Sequence, residues 1–339
     1  MQRRTFIKNT SLLTISTAGL TSFANAETIP KGKIPAALRK GDLIALTAPA
    51  GAIFNEEHIE KIENKLMELD FKTIKGETLY QKEGYLAGTD EFRTKELHQF
   101  FEDKNVKAII AMRGGWGCGR ILDKLDYKLI KRNPKILMGY SDITSLLIAI
   151  TNKTGLVTFH GPVGYSTWEE FSTGQVIKTL VKGEKFKLTN PPDNLEDLET
   201  LTSGKAHGKL IGGNLTVVTS MIGTNHEPNW KNKILFLEEI GEEPYRIDRM
   251  LWQLKQAGVF NSINGLILGA FTKCEAEYLD ESFSLADILK QYFNNTTFPV
   301  YKGAVIGHIT QKFTLPIGLD VAMDADDFSI DLLRSAVRV

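Results

Sequence analysis

The feature that most constrains this chain is a series of short apolar runs, each leading into a stretch of helical spacing. Leu43-Ile44-Ala45-Leu46-Thr47-Ala48 follows Gly41-Asp42 and is broken by Pro49-Ala50-Gly51. Ile59, Ile62, Leu66 and Leu69 then recur at helical intervals between Glu56 and Leu69. Thr89-Asp90 can cap a second helix carrying Phe92, Leu97 and Phe101. Val106 to Met112 and Lys135 to Met138 read as strands, with a helix from Asp142 to Thr151 and a strand from Leu156 to Phe159. Buried strands alternating with helices predict a mostly parallel sheet covered on both faces, an α/β sandwich.

Beyond Gly161 the pattern changes. Residues 183–207 are polar and turn-rich, with Thr189-Asn190-Pro191-Pro192-Asp193-Asn194 and then Glu196, Asp197 and Glu199, which read as a solvated crossing. The acids of that stretch carry no metal-ligand spacing. Farther on, Leu235-Phe236-Leu237 and Gly265-Leu266-Ile267-Leu268 read as strands. A helix between them, from Tyr245 to Ala257, has Ile247, Met250, Leu251 and Leu254 on its buried face. The tail from Pro316 reads as short strands and turns. The division predicted is an N-terminal α/β domain over 31–165, a crossing segment over 166–204 and a β-rich α/β domain over 205–339.

Residues 1–26 read as an export signal. Arg3, Arg4 and Lys8 form a cationic head, Ser11 to Phe23 is apolar without an acid, and Ala24-Asn25-Ala26 is a small-x-small cleavage site. The adjacent arginines suggest the twin-arginine route to the periplasm; an ordinary secretory signal is the alternative. Past the signal no apolar run reaches the ~18 residues that cross a bilayer, so no stable membrane insertion is expected. With 41 basic and 41 acidic residues, the chain has no broad attraction to nucleic acid. Six histidines and two cysteines show no metal-binding spacing, so neither metal nor cofactor is expected. Cys118 and Cys274 read as two free thiols.

The sharpest local feature is Ile136-Leu137-Met138-Gly139-Tyr140-Ser141-Asp142. A strand ends, a serine follows and a helix begins, which is the arrangement of a nucleophile elbow. The N–H of Asp142 would face a developing oxyanion from the helix N-terminus. The usual elbow has a second glycine two residues after the serine, and Ile143 stands there. A simple helix cap is the competing reading of Ser141.

A second feature is Arg113-Gly114-Gly115-Trp116-Gly117-Cys118-Gly119-Arg120. Its glycines let the backbone approach a bound group, as a phosphate cradle, an oxyanion donor, a substrate clamp or a plain turn. The spacing fits neither the dinucleotide fingerprint nor the Walker loop. A base for Ser141 would come from six histidines. His58 and His98 lie on predicted helices among charges and read as solvated. His207 and His226 carry no distinguishing signal, whereas His160 and His308 end strands beside glycine. Glu238 and Glu239, at the tip of an apolar strand, could orient an imidazole. Helix capping at Glu242 or Glu243, beside Pro244, is the bland use of the acids in that stretch.

Together these segments resemble the LD-carboxypeptidase family, which includes the muramoyl-tetrapeptide carboxypeptidases and the microcin-immunity peptidases. The resemblance spans Gly41 to Asp320. It rests on Ala48-Pro49-Ala50-Gly51, Arg113-Gly114-Gly115, Gly139-Tyr140-Ser141-Asp142, His160-Gly161-Pro162 and Gly212-Gly213-Asn214-Leu215. It continues with Leu237-Glu238-Glu239, Pro244-Tyr245-Arg246-Ile247-Asp248-Arg249 and Gly307-His308.

The resemblance implies a serine peptidase with Ser141 as nucleophile, His308 as base and Glu238 as the orienting acid. Oxyanion donors would be the N–H groups of Asp142 and Gly115, and Arg113 with Gly114 would contact substrate. Arg113 could hold the substrate's terminal carboxylate or serve structure alone. Ile309 replaces a glycine common in the family, and Glu239 an aspartate. The triad would form across the interface of the two domains, the protein would be a homodimer, and the substrate a muropeptide losing terminal D-Ala. A peptidyl-nucleotide amidase of the microcin-immunity type and a non-catalytic periplasmic binding protein are the alternatives.

Overall fold

The computed structural model describes residues 33–339, and the export signal read at residues 1–26 lies outside them. The N-terminal part contributes strands β1 (Leu43–Thr47), β2 (Lys72–Lys75), β3 (Val106–Ala111), β4 (Ile136–Gly139) and β5 (Thr158–His160). They pair in parallel in the order β5-β4-β3-β1-β2. β3 and β4 are almost wholly buried because helices cover both faces. Of the covering helices, Glu57–Glu68 buries Ile59, Ile62 and Leu66, while Asp90–Glu102 begins at a Thr89 cap. β2 (Lys-Thr-Ile-Lys) was not expected, since two lysines in four residues hide its strand character; it is the polar edge of the sheet.

A second sheet holds eight strands. They are β6 (Lys187–Leu188), β7 (Glu199–Thr202), β8 (Lys205–Asn214), β9 (Lys233–Ile240), β10 (Gly265–Thr272), β11 (Val300–Lys302), β13 (Asp320–Asp324) and β14 (Ser329–Leu332). Their order is β6-β14-β13-β8-β9-β10-β11-β7. The central strands β8, β9, β10 and β11 are parallel and the flanking ones antiparallel. The helix expected over 245–257 is Pro244–Gln256, with Ile247, Leu251 and Leu254 buried.

Two features depart from the simple division. The crossing segment 166–204 is not merely a solvated linker. It carries the helix Glu170–Val176 and supplies β6 and β7, the two outer strands of the second sheet. Their polar residues suit sheet edges, which is why they read as loop. From the other side, β12 (Leu315–Ile317) leaves the C-terminal part and pairs antiparallel with β5, closing the first sheet. Both sheets belong to one compact unit. The helix Ile143–Thr154 packs against β8: Thr144 Oγ1 accepts from Asn214 N at 3.2 Å. A Cβ on Gly213 would stand 2.4 Å from that same Oγ1. Glycine is therefore required at the joint between the two sheets.

Candidate active site

Ser141 sits between β4 and the helix Ile143–Thr154 with φ of 64°, a left-handed conformation rare for a residue with a side chain. That strain favours the elbow over an ordinary helix cap, because a cap residue takes extended backbone. The turn is closed by Thr144 N donating to Ser141 O at 2.9 Å. A Cβ on Gly139 would fall 2.9 Å from Ile143. Ile143, in place of the usual second glycine, is thus accommodated by the bare backbone two residues before the serine.

The Gly-rich loop after β3 lies directly against this elbow. A Cβ on Gly114 would be 2.7 Å from both Cβ and Oγ of Ser141 and 3.1 Å from the Asp142 nitrogen. The absent side chain leaves a space beside the hydroxyl and the first helical N–H. Asp142 ties loop to elbow: its buried carboxylate accepts from Cys118 N at 2.8 Å, and burial raises its pKa. Gly115 has φ of 107° and closely faces Gly51, whose N–H donates to Gly114 O at 3.2 Å.

Arg93, fully buried, braces the same region. It donates to Pro49 O, Gly117 O and Gly88 O and pairs with Asp90. Nothing in the sequence singled it out; an arginine in an amphipathic helix reads as surface until its fully packed neighbours are known. Arg113 has a comparable duty. Its Nη1 donates to Ala52 O at 3.0 Å and its guanidinium lies over Tyr165 at 5.7 Å.

Glu238 and His308 come from the other sheet. Glu238 is completely buried on β9, and its Oε2 is 2.7 Å from His308 Nδ1. That bond leaves Nε2 of the imidazole as the free acceptor. The approach depends on an irregularity in β10. Its register against β9 shifts between Leu268 and Phe271, and Ala270 N donates to Ile306 O at 2.9 Å. The bulge admits the loop that follows β11 and brings His308 alongside Glu238. Gly307, with φ of 112°, makes the closest contact: a Cβ there would lie 2.5 Å from Glu238 Oε2. Thr272 Oγ1 holds His308 O at 3.1 Å.

The two halves meet at Tyr140. Its ring packs edge-on to His308 with centroids 4.8 Å apart, and Ser141 is the next residue. The site therefore assembles between the N-terminal and C-terminal sheets. Among the described residues no hydrogen bond of 3.5 Å or less yet joins Ser141 to His308, a gap usual before substrate tightens such a pair.

The remaining candidates are used elsewhere. His160 is buried at the end of β5 against Phe236, and its pKa is pushed down to about 3 by burial and by nearby His308 and Lys312. Among the described residues its Nε2 has no hydrogen-bond partner, and no carboxylate orients it as Glu238 orients His308. His58 stacks on Tyr165 at 4.0 Å, and His98 accepts from Asp126 N at 2.8 Å, so neither is simply solvated as its helix suggested. His226 bonds Asp123 at 2.8 Å. Glu239 is spent on Asn214 and Thr216. Glu243 occupies the cap of Pro244–Gln256 without a side-chain cap bond. Cys118 and Cys274 are buried and free, and burial pushes both thiols up. Among the described residues there is no metal-ligand cluster and no helix long and apolar enough to cross a membrane.

Known proteins resemble the chain along most of its length. Residues 44–161 match the model of the LD-carboxypeptidase N-terminal domain, and residues 207–323 that of the LD-carboxypeptidase C-terminal domain. The chain is 39% identical over 298 residues to a probable murein peptide carboxypeptidase of Bacillus subtilis, covering 86% of this chain and 91% of that one. Its fold is similar to that of MccF in complex with glutamyl sulfamoyl guanosine, with a TM-score of 0.82, 26% identity and coverage of 90% and 99%. Similarity to a muramoyltetrapeptide carboxypeptidase from Oxalobacter formigenes gives a TM-score of 0.75, 27% identity and coverage of 85% and 97%.

Proposed function

The chain belongs to the LD-carboxypeptidase family of serine-type hydrolases, and from this premise we propose that it releases a terminal D-amino acid from peptidoglycan peptides through an acyl-enzyme on Ser141. The observation that carries the chemistry is the pairing of buried Glu238 with half-buried His308, 2.7 Å long, packed through Tyr140 beside the strained Ser141. The substrate reading draws on the 39% identical relative of Bacillus subtilis named a probable murein peptide carboxypeptidase.

In this reading His308 Nε2 takes the proton of Ser141, whose oxygen attacks the carbonyl of the L-configured residue before terminal D-Ala. The N–H groups of Asp142 and Gly115 stabilise the oxyanion; one such donor is typically worth ~10²–10³ in rate. His308 returns the proton to the departing amine, and water then hydrolyses the ester by the same route. Glu238 keeps Nδ1 protonated and stabilises the imidazolium. The sequence of residues 1–26 supports export, by the twin-arginine route, to a compartment where muropeptides are found, and a homodimer is the expected assembly.

A second reading is an amide hydrolase of the MccF kind, acting on an aminoacyl or peptidyl nucleotide. It is favoured by the higher structural similarity to MccF, 0.82 against 0.75. Incubating the mature protein and Ser141→Ala with L-Ala-D-Glu-meso-diaminopimelate-D-Ala, its lysine counterpart and an aminoacyl sulfamoyl nucleoside separates the two. Loss of D-Ala with wild type alone supports the carboxypeptidase. Cleavage of only the nucleoside conjugate replaces it with the second reading.

A further inference from the structure

Lys312 lies four residues beyond His308 on the same loop and is buried, with 3% of its surface exposed. A buried ammonium costs several kcal/mol unless an anion offsets it. Yet among the described residues no carboxylate lies within 4.0 Å of its Nζ. Its hydrogen-bond acceptor is Thr310 O at 3.2 Å, and Nζ also sits over the ring of Tyr140, 5.5 Å from the centroid. The loop is pinned in this pose. Lys312 N donates to Ser172 Oγ at 2.9 Å, and that hydroxyl donates to Thr310 O at 3.3 Å.

The ring that carries Lys312 is the ring that meets His308. Tyr140 lies 4.8 Å from the imidazole and 5.5 Å from the ammonium, so the two cannot be more than about 10 Å apart. In amide hydrolysis the departing nitrogen must be within ~3 Å of His308 Nε2 to receive its proton. The carboxylate of the departing amino acid is two bonds farther on. Turned toward Tyr140, it would approach the ring over which the ammonium sits.

Arg113 and Arg93 are further cations near the elbow, but Arg113 braces Ala52 O and Tyr165 on the side of the Gly-rich loop, and Arg93 is spent on Asp90 and the carbonyls of Pro49, Gly88 and Gly117.

We infer that Lys312 is the specificity residue that binds the free α-carboxylate of the residue leaving from the scissile bond, making the enzyme a carboxypeptidase rather than an endopeptidase. The ligand class is thus a C-terminal carboxylate, and its identification rests on the substrate reading above. Pairing the carboxylate with the ammonium supplies the anion that the folded chain withholds. The preference follows: an amide terminus would leave the buried charge unpaired.

The test compares wild type, Lys312→Met and Lys312→Arg on the tetrapeptide and on its C-terminal amide. A fluorophosphonate that labels Ser141 is used in parallel, with protection by N-acetyl-Lys-D-Ala and by its amide. Wild type should favour the free acid by about thirtyfold or more in kcat/KM, Lys312→Met should reduce that preference below about threefold, and Lys312→Arg should retain most of it. Carboxylate protection of Ser141 should disappear in Lys312→Met while labelling itself persists, which shows that the site is folded. A full preference and intact protection in Lys312→Met overturn the inference. Should the wild type hydrolyse neither peptide, the substrate reading fails, and the protection experiment alone decides the anchor. Protection by the acid that depends on Lys312 upholds it; no protection, or protection independent of Lys312, overturns it.

Discussion

Glu238 and Glu239 are neighbours on β9 and turn their carboxylates to opposite sides of it. Glu238 reaches His308 Nδ1 at 2.7 Å, whereas Glu239 accepts from Asn214 Nδ2 at 2.8 Å, Thr216 N at 2.8 Å and Thr216 Oγ1 at 2.7 Å. The period of two in a strand makes their duties exclusive. One acid faces the catalytic loop, and the other anchors the start of the helix Leu215–Ser220.

The pair gives a contrast testable by mutation. Glu238→Gln keeps the shape and removes the charge that orients the imidazole, so kcat should fall by about 10²–10⁴ with little change in melting temperature. Glu239→Gln should act the other way. It weakens several buried hydrogen bonds and should cost ~1–3 kcal/mol of stability, with kcat of the folded fraction reduced far less. Steady-state kinetics beside urea denaturation reads both.

Gly114→Ala should inactivate without unfolding. Its Cβ would intrude to 2.7 Å from Ser141 Oγ and occupy the space beside the Asp142 nitrogen. A fall in kcat of at least ~10² is expected, the size of losing one oxyanion donor. Retained thermal stability with lost fluorophosphonate labelling is the signature.

Arg93→Met should be mainly a stability lesion. It strands the carbonyls of Pro49, Gly88 and Gly117, which now accept from the guanidinium, and leaves Asp90, among the described residues, with Arg120 alone. Breaking such a buried group typically costs ~3–5 kcal/mol. Denaturant midpoints measure it, and a matching loss of turnover would follow from a loosened Gly-rich loop.

His160 makes the fold acid-sensitive. Its pKa is about 3 in the folded chain against an ordinary 6.5. Between those values the unfolded chain binds a proton that the folded chain excludes, so this contribution to stability is lost as pH falls below 6.5 and regained as pH rises. The slope for one such site approaches about 1.4 kcal/mol per pH unit. Urea denaturation at pH 7, 6 and 5 should show a shallower fall for His160→Gln than for wild type.

Lys312 adds an alkaline limit to substrate binding. Burial lowers its pKa to about 8, while Glu169 and Glu238 hold it up; His160 and Tyr140 also face it. Above that pH the free enzyme loses the ammonium. KM for the free-acid peptide should therefore climb from pH 8 to 9.5 in wild type, and Lys312→Met should show no comparable climb.

Much of this protein was legible before any coordinates. The alternation of apolar runs and helical periods determined the strands β1, β3, β4 and β5 of the first sheet, because hydrophobic burial is repeated locally along the chain. Gly139-Tyr140-Ser141-Asp142 marked the elbow, and the resemblance pointed to Glu238 and His308 from distant segments. The polar strands β2, β6 and β7 were missed because edge strands do not need an apolar face. β12 was read as part of a tail, and its pairing with β5 has no local signature.

What only the tertiary structure decided is which groups meet and which are left without partners. Sequence periodicity assigns a face but not the neighbour across it. The choice between Glu238 and Glu239 by geometry, the bulge in β10 that admits His308, the burial of Arg93 and the ammonium of Lys312, unpaired among the described residues, all depend on contacts between residues far apart in the chain. Their chemistry comes from desolvation and distance, and both exist only once the two sheets have packed together.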